Sequence, residues 1–423
     1  MRIGSVLIII CLAFNSCSNA EKKYFSVVAE ERSYIDCLVR IDLEALYGSD
    51  VPENPGLFLE QEKVVEQIAY QADLTMPGYT VIFMIEGKLD KGDSRSYFFQ
   101  ETGKRGVEQE TPALIQQDED KLVILNNESE VLTYHISETM PPPGIDSLYR
   151  RSAYIHPLVS PGGEVLTRVQ PPDHYHHYGI WNPWTLTHIN GREIDYWNLA
   201  KGEGTVRAKA ILDAFEGPVQ ATFTTLQEHV DFGYEGGERV TMEEFWEVCC
   251  TPAGPNGQRY LLDMKTTFRN VLRDTILFDA YRYGGGLGYR ATGKWNEENS
   301  TVLTSEGIER AGADGTRARW CIVEGVSDTE EGRSGILFLS HPDNREHPEP
   351  MRVWPAEINN GELFFEFCPI RQREWLILPG VDNVLQYRMI VFDGSMTAEE
   401  AKMYWNSFVN GPEVSLQPSA VRE

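Results

Sequence analysis

The sequence predicts a mostly β protein, a small N-terminal β-sandwich followed by a large β-sandwich, with a helix near the C-terminus. Three observations carry this. Short segments of apolar, β-branched and aromatic residues recur along the chain: 79–86 (YTVIFMIE), 121–126, 265–272, 336–340, 363–368 and 384–392. Most are bounded by Gly, Pro, Asn or Asp, the residues that make hairpins and loops, and the chain's 36 Gly and 23 Pro supply them throughout. At 423 residues the chain exceeds the usual size of one domain, so two are expected.

Taken in order, residues 1–16 read as a signal segment. Arg2 is a short positive region, 6–14 (VLIIICLAF) is an apolar run, and Ser16-Cys17 follows. The run is too short to span a bilayer as a stable helix. Lipid on Cys17 is therefore expected, holding the protein at the cell envelope and touching the membrane only through the anchor. Phe14 stands where Leu is usual, and a cut near Ala20 is the alternative. Residues 17–110 are expected to form the small sandwich. The polar, acidic stretch 101–120 reads as a linker, and 121–416 as the large sandwich. Thr397 and Glu400 make a capping box. Ala401, Tyr404, Trp405 and Phe408 then follow at helical spacing, an apolar stripe expected to cover a sheet edge or end.

Composition limits the function. Hydrophobic residues at 41% and aromatics at 11% suffice for a large core, and a net charge of -26 argues against a nucleic-acid partner. With Cys11 in the signal and Cys17 lipidated, Cys37, Cys249, Cys250, Cys321 and Cys368 remain. They show no CxxC spacing, so buried thiols are expected, with room for one disulfide.

Chemistry concentrates between residues 154 and 197, where five of the nine histidines fall: His156, His174, His176, His177 and His188. Pro171-Pro172 excludes helix on entry to D-H-Y-H-H-Y, so that run should be extended or looped. In an extended chain His174 and His176 face one side and His177 the other. His174 and His176 could be an H-x-H pair on a divalent metal, with His341 or a carboxylate as third ligand. Equally, His174, His176 or His177 could be acid/base groups, since imidazole titrates near neutral pH. Asp173 and the rings Tyr175, Tyr178, Trp181, Trp184, Tyr196 and Trp197 surround them, and exposed rings there could stack on sugars.

Two other segments could complete such a site. Glycines in 283–290 (YGGGLGYR) permit close backbone approach and present Arg290, which could clamp a carboxylate or hydroxyls. His341 and Asn344 lie in H-P-D-N, directly after an apolar strand. Glu306 is the candidate partner carboxylate, with Asp173 and Glu228 as others. No nucleotide loop, serine-hydrolase elbow or H-E-x-x-H is present.

The segments Y-I-H-P-L (154–158), P-P-D-H-x-H-H-x-G-I-W (171–181), G-G-L-G-Y-R (285–290), H-P-D-N (341–344) and Y-R-M-I-V-F-D-G (387–394) resemble the PmoA-like family of exported bacterial proteins, often labelled "methane oxygenase". The likeness spans most of 121 to about 410. Tyr175 and Tyr178 stand where the family has Pro and Arg. The resemblance implies a galactose-mutarotase-like supersandwich, a carbohydrate substrate and histidine–carboxylate chemistry. A membrane copper oxygenase subunit needs several spans, and no second apolar run of that length exists in the chain.

The leading expectation is a cell-envelope enzyme acting on a glycoside or sugar derivative. His174, His176, His177 and Glu306 would be catalytic, and Asp173, Tyr178, Trp181, Arg290, His341 and Asn344 would bind substrate. No cofactor is required by this reading. A non-catalytic glycan-binding lipoprotein and a metal-dependent oxygenase or hydrolase on the H-x-H pair are the alternatives.

Overall fold

The computed structural model describes residues 21–416 apart from 62–63, 74–75, 77, 103–108, 110 and 255–256. The signal segment, Cys17 and part of the expected linker lie outside the described residues. The chain is mostly β, as expected. All six segments predicted as strands fall within or across observed ones: Thr80–Leu89, Lys121–Asn126, Arg259–Asn270, Arg333–Ser340, Phe364–Phe367 and Asp382–Asp393.

The small sandwich packs a five-stranded sheet on a three-stranded one. Lys23–Val28, Pro55–Gln61, Val64–Ile68 and Ser94–Glu101 contribute to the first, and Tyr34–Asp42, Tyr70–Ala72 and Thr80–Leu89 form the second. Alternate residues point inward, so Phe25, Val39, Phe83, Tyr97 and Phe99 meet in the core. The fifth strand of the larger sheet is Glu413–Leu416, paired antiparallel with Lys23–Val28. The end of the described chain therefore belongs to the N-terminal sandwich, whereas the sequence assigned it to the large one.

The expected linker also contains structure. Ala113–Gln117 pairs with Lys121–Asn126 as the edge strand of the large domain, and Ala113 is fully buried there. Its polar residues are those of an edge strand, with one side facing solvent.

Two extended antiparallel sheets make the large domain. One has eight strands and includes the long hairpins from Gly204–Phe215 to Arg259–Asn270; the other has nine and runs from Ala113–Gln117 to Arg317–Ala318. A four-stranded sheet lies beside them. Between the sheets Tyr134, Ile180, Trp246, Tyr289, Phe338, Phe365 and Met389 form one continuous core.

The helix Ala398–Val409 begins at the capping box of Thr397 and Glu400. It packs not on a sheet edge but on the outer face of the eight-stranded sheet, with Ala401 and Tyr404 against Leu337, Leu339, Ile390 and Phe392. Its other side meets the small sandwich. Tyr404 donates its hydroxyl hydrogen to Asp36 Oδ2 at 2.7 Å, and Asn406 Nδ2 donates to the Ser33 carbonyl at 3.0 Å. The stripe read from sequence is thus the joint between the two sandwiches.

All five described cysteines are free, and four are buried. Burial pushes the Cys37 thiol up to about 11, which keeps it protonated and unreactive. No helix among the described residues is long and apolar enough to cross a membrane.

Candidate functional site

The site forms on the face of the nine-stranded sheet that points away from the core. Strand alternation explains which side chains reach it. Leu287 and Tyr289 point into the core and Arg290 out; Phe365 and Phe367 point in and Phe364 out; Ile180 points in and Trp181 out. Trp181, Trp197, Trp354 and Phe364 then make a separate aromatic cluster outside the sheet.

Onto this cluster folds the histidine loop, which is built from consecutive turns. The His174 N–H donates to the Pro171 carbonyl at 2.9 Å, the His177 N–H to the His174 carbonyl at 3.0 Å, and the Gln170 N–H to the His177 carbonyl at 2.8 Å. Pro171 and Pro172 fix φ and remove two donors at its entry. Gly179 closes it at φ +56, where a Cβ would lie 2.3 Å from the Ile155 carbonyl oxygen. The turns overturn the alternation expected of an extended run. His174 and His177 stack with centroids 4.7 Å apart, and His176 stands edge-on to both, at 5.4 and 4.8 Å.

Asp173 organises the polar side of the cluster. Its Oδ2 accepts from His174 Nδ1 at 2.8 Å and from Arg290 Nη2 at 2.8 Å. Burial works to raise the Asp173 carboxyl, but the His174 hydrogen bond and the Arg290 charge outweigh it and hold the group below its ordinary value. As an ionised carboxylate Asp173 only accepts, so His174 Nδ1 carries the hydrogen. Nε2 of His174 is then the free lone pair, with no hydrogen-bond partner among the described residues.

The Asp173 and His174 side chains keep 25% and 27% of their surface. That exposure is what lets a solute reach them.

The other two histidines are less accessible. His177 is buried between Trp181, Trp197, Trp354 and Phe364, with centroids 5.2 to 5.6 Å away. Burial first, then His176 and Arg290, push its imidazole well below the ordinary value. His176 is lowered to about 4, again by burial and then by His174. Both rings are neutral at neutral pH.

Arg290 is fully buried and ion-paired to both Asp173 and Glu362. Arg168 also binds Glu362, at 3.0 Å, and the Trp354 ring lies 4.7 Å from the Arg290 guanidinium carbon. A buried guanidinium needs such partners to offset its lost hydration. Burial still lowers it to about 10, against the pull of Asp173.

Sequence reasoning thus brought Asp173, His174, His176, His177 and Arg290 to one place. Other expected residues lie elsewhere. Tyr178 and Trp181 are core, each 0% exposed, so their rings are closed to a solute; Trp184, Tyr196 and Trp197 are buried as well. Tyr178 donates instead to the Tyr149 carbonyl and takes a bond from Gln170.

Glu306 is bound by Ser305 and Arg319, and Arg319 packs on Trp405 of the C-terminal helix. Glu228 pairs with Lys209 on the eight-stranded sheet. His156 bonds Thr167, and His188 sits on the hairpin strand Thr187–Ile189. His341 lies against Phe408 of the C-terminal helix.

Asn344 serves the core. Its Nδ2 donates to Glu349 Oε2 at 2.9 Å, and Tyr387 donates to Oε1 at 2.9 Å. Burial raises this fully enclosed carboxyl to about 7, against the stabilising bonds from Ser340, Asn344 and Tyr387.

The structure adds Arg168, Glu362, Trp354, Arg352 and Tyr283 to the site. Their signal is a polar residue inside or beside a run that strand alternation would bury, as in L-F-F-E-F (363–367) and M-R-V-W (351–354). Gly285 and Gly286 let the loop before Leu287–Arg290 lie flat. A Cβ on Gly285 would sit 1.8 Å from Trp184, and one on Gly286 2.2 Å from the Phe367 carbonyl. Close backbone approach, as read from sequence, is their role.

No group of three or more His, Cys, Asp or Glu side chains among the described residues is arranged to hold a metal ion. The Arg290 guanidinium, 3.5 Å from His177 Nδ1, sets a fixed positive charge against the ring nitrogens.

Residues 121–406, which contain this whole site, match the model of a family of unknown function, DUF6807. The chain belongs to DUF6807. The match carries no PmoA-like label, so that likeness stays one of motifs alone. No curated protein matches this DUF6807 chain.

Among solved structures it is similar to a heparan sulfate lyase from Pedobacter heparinus, at 9% identity and a TM-score of 0.32, over 70% of this chain and 38% of the lyase. It is also similar to a galactose mutarotase related enzyme from Lactobacillus acidophilus, at 9% identity and 0.33, over 67% of this chain and all of that one.

Proposed function

We propose that this DUF6807 protein is a carbohydrate-active enzyme of the cell envelope, acting on a glycoside or sugar derivative with His174 as its proton-transfer group. One observation carries the reading: Asp173 fixes His174 Nδ1 as donor and leaves Nε2 free at a solvent-reachable rim. A carboxylate behind an imidazole orients the ring and stabilises the imidazolium that forms when Nε2 takes a proton. Arg290 holds the carboxylate in place and keeps it ionised, so Asp173 and Arg290 are positioning residues. His176 and His177, neutral and mostly enclosed, support the ring of His174 by stacking and edge contacts rather than exchanging protons themselves.

What lines the rim supports a sugar substrate. Arg168, Glu362, His174 and Tyr283 offer donors and acceptors beside partly exposed rings, and Tyr149 and Tyr175 stand 5.5 Å apart at the loop's edge. Sugars present that mixture of hydroxyls and apolar C–H faces. Lipid on Cys17 would hold the site where extracellular glycans are met, and mass spectrometry of the mature N-terminus reads that anchor directly.

The enzyme reading is tested with His174→Ala against a glycoside panel. Loss of roughly 10²–10⁴-fold in kcat, with an unchanged melting transition, is the expected result. Turnover as fast as wild type would overturn it.

A further inference from the structure

Tyr283 is a half-buried residue at the start of the glycine run, to which the sequence reading gave no role. Its hydroxyl oxygen is held by two groups that can only donate. Arg352 Nη2 approaches at 2.9 Å and Trp354 Nε1 at 3.1 Å. Guanidinium and indole nitrogens carry no acceptor, so both bonds run into the phenol oxygen and occupy its lone pairs. The phenol's own hydrogen must then point to a third direction, where it has no acceptor among the described residues.

Tyr283 shares its surroundings with the histidine cluster. Trp354, which donates to it, packs 4.9 Å from the His174 ring, and Trp197 contacts both His176, at 5.7 Å, and Tyr283, at 5.2 Å. Two guanidiniums lie along the Tyr283 ring, Arg352 at 4.7 Å and Arg282 at 5.3 Å from its centroid. Arg352 is itself steadied by Asp314 at 2.7 Å.

We propose that Tyr283 is the proton donor to the leaving oxygen, the partner of His174 across the Trp354 and Trp197 indoles. The inference rests on the acid/base reading above and supplies the acid that Glu306, far from the cluster's partners, does not. In hydrolysis or elimination alike the bond that breaks is C–O. Its electron pair leaves with the oxygen, which takes the Tyr283 proton. His174 Nε2 removes the balancing proton, from the attacking water or from the carbon next to the break. The phenolate left behind keeps the Arg352 and Trp354 donors, already in place, and regains its proton through solvent.

The test compares wild type, Tyr283→Phe and His174→Ala on glycosides, and for elimination on uronides substituted at the 4-oxygen, whose leaving groups run from dinitrophenol to phenol and methanol. Phenylalanine keeps the ring contacts, and a melting curve confirms the fold. Tyr283→Phe is expected to lose about a hundredfold or more on poor leaving groups and little on dinitrophenyl, while His174→Ala loses on all. A uniform loss along the series would mark a structural role and overturn the proposal, leaving the His174 reading intact. Wild type inert on every substrate would overturn both.

Discussion

Glu349 offers a perturbation whose size and sign can be worked out in advance. The carboxyl is fully enclosed between the large sheets, and burial lifts it from the ordinary value of 4.5 to about 7. The folded state therefore holds this proton more tightly than the unfolded chain. Its contribution to stability is complete below the ordinary value and is lost as pH rises through about 7. At about 1.4 kcal/mol per pH unit, that span is worth about 3 kcal/mol.

The buried histidines act with the opposite sign. His176 is lowered to about 4, so its neutral form favours the fold above the ordinary histidine value, and that stability is lost as pH falls toward 4. His156, lowered by burial and then by His135, behaves likewise. The raw pH dependence of wild type mixes these slopes. Comparison with Glu349→Gln isolates one of them, because glutamine does not titrate while the histidine terms cancel. Urea unfolding of both proteins between about pH 5 and about pH 8 should show wild type losing about 3 kcal/mol relative to the variant as pH rises. A difference that stays constant across that range would refute the reasoning.

Three further outcomes follow from the site. Arg290→Met leaves Asp173 and Glu362 without their buried partner and should cost roughly 3–5 kcal/mol, read by denaturant unfolding, while Arg168→Met, at the exposed end of the same network, should cost roughly 1 kcal/mol or less. His177→Ala opens a cavity among Trp181, Trp197, Trp354 and Phe364 and should destabilise by roughly 3 kcal/mol; because it also removes a buried neutral imidazole, its melting temperature should fall less on acidification than that of wild type. Gly285→Ala should yield little folded protein, since its Cβ would overlap the Trp184 ring at 1.8 Å, and normal expression with a wild-type near-UV spectrum would contradict that.

Much of the architecture was legible because strands declare themselves locally. A run such as K-L-V-I-L-N needs only its own alternation and its flanking turns to be read, and it is the strand Lys121–Asn126 as predicted. The helix was equally plain, since Thr397 and Glu400 mark its start and every fourth-residue contact is local. Its docking was not: Tyr404 meets Asp36 across 368 residues, a pairing that no window of sequence displays. Histidine clustering was visible as composition, yet the turns that stack His174 on His177 come from hydrogen bonds closing a loop between Gln170 and His177. Arg290 was legible as part of the site because glycines framed it, but its buried pairing with Asp173 and Glu362, in place of an expected substrate, was not. Glu362 and Tyr283 were not, because each acts through residues on other strands. Trp181 misled because a tryptophan beside histidines looks the same whether it faces solvent or sits beneath them.

The pairing of Glu413–Leu416 with Lys23–Val28 carries a consequence for how the molecule is made. Synthesis proceeds from the N-terminus, so the first sandwich emerges with one margin of its larger sheet bare. An unpaired margin of that kind invites the wrong neighbour, and in a long chain the interval is extended by every residue still to come. The strand that covers it is supplied only after the whole large domain has been delivered. A chain cut within Glu413–Leu416 would keep its histidine loop intact but leave Lys23–Val28 as an open sheet edge, free to pair with another chain.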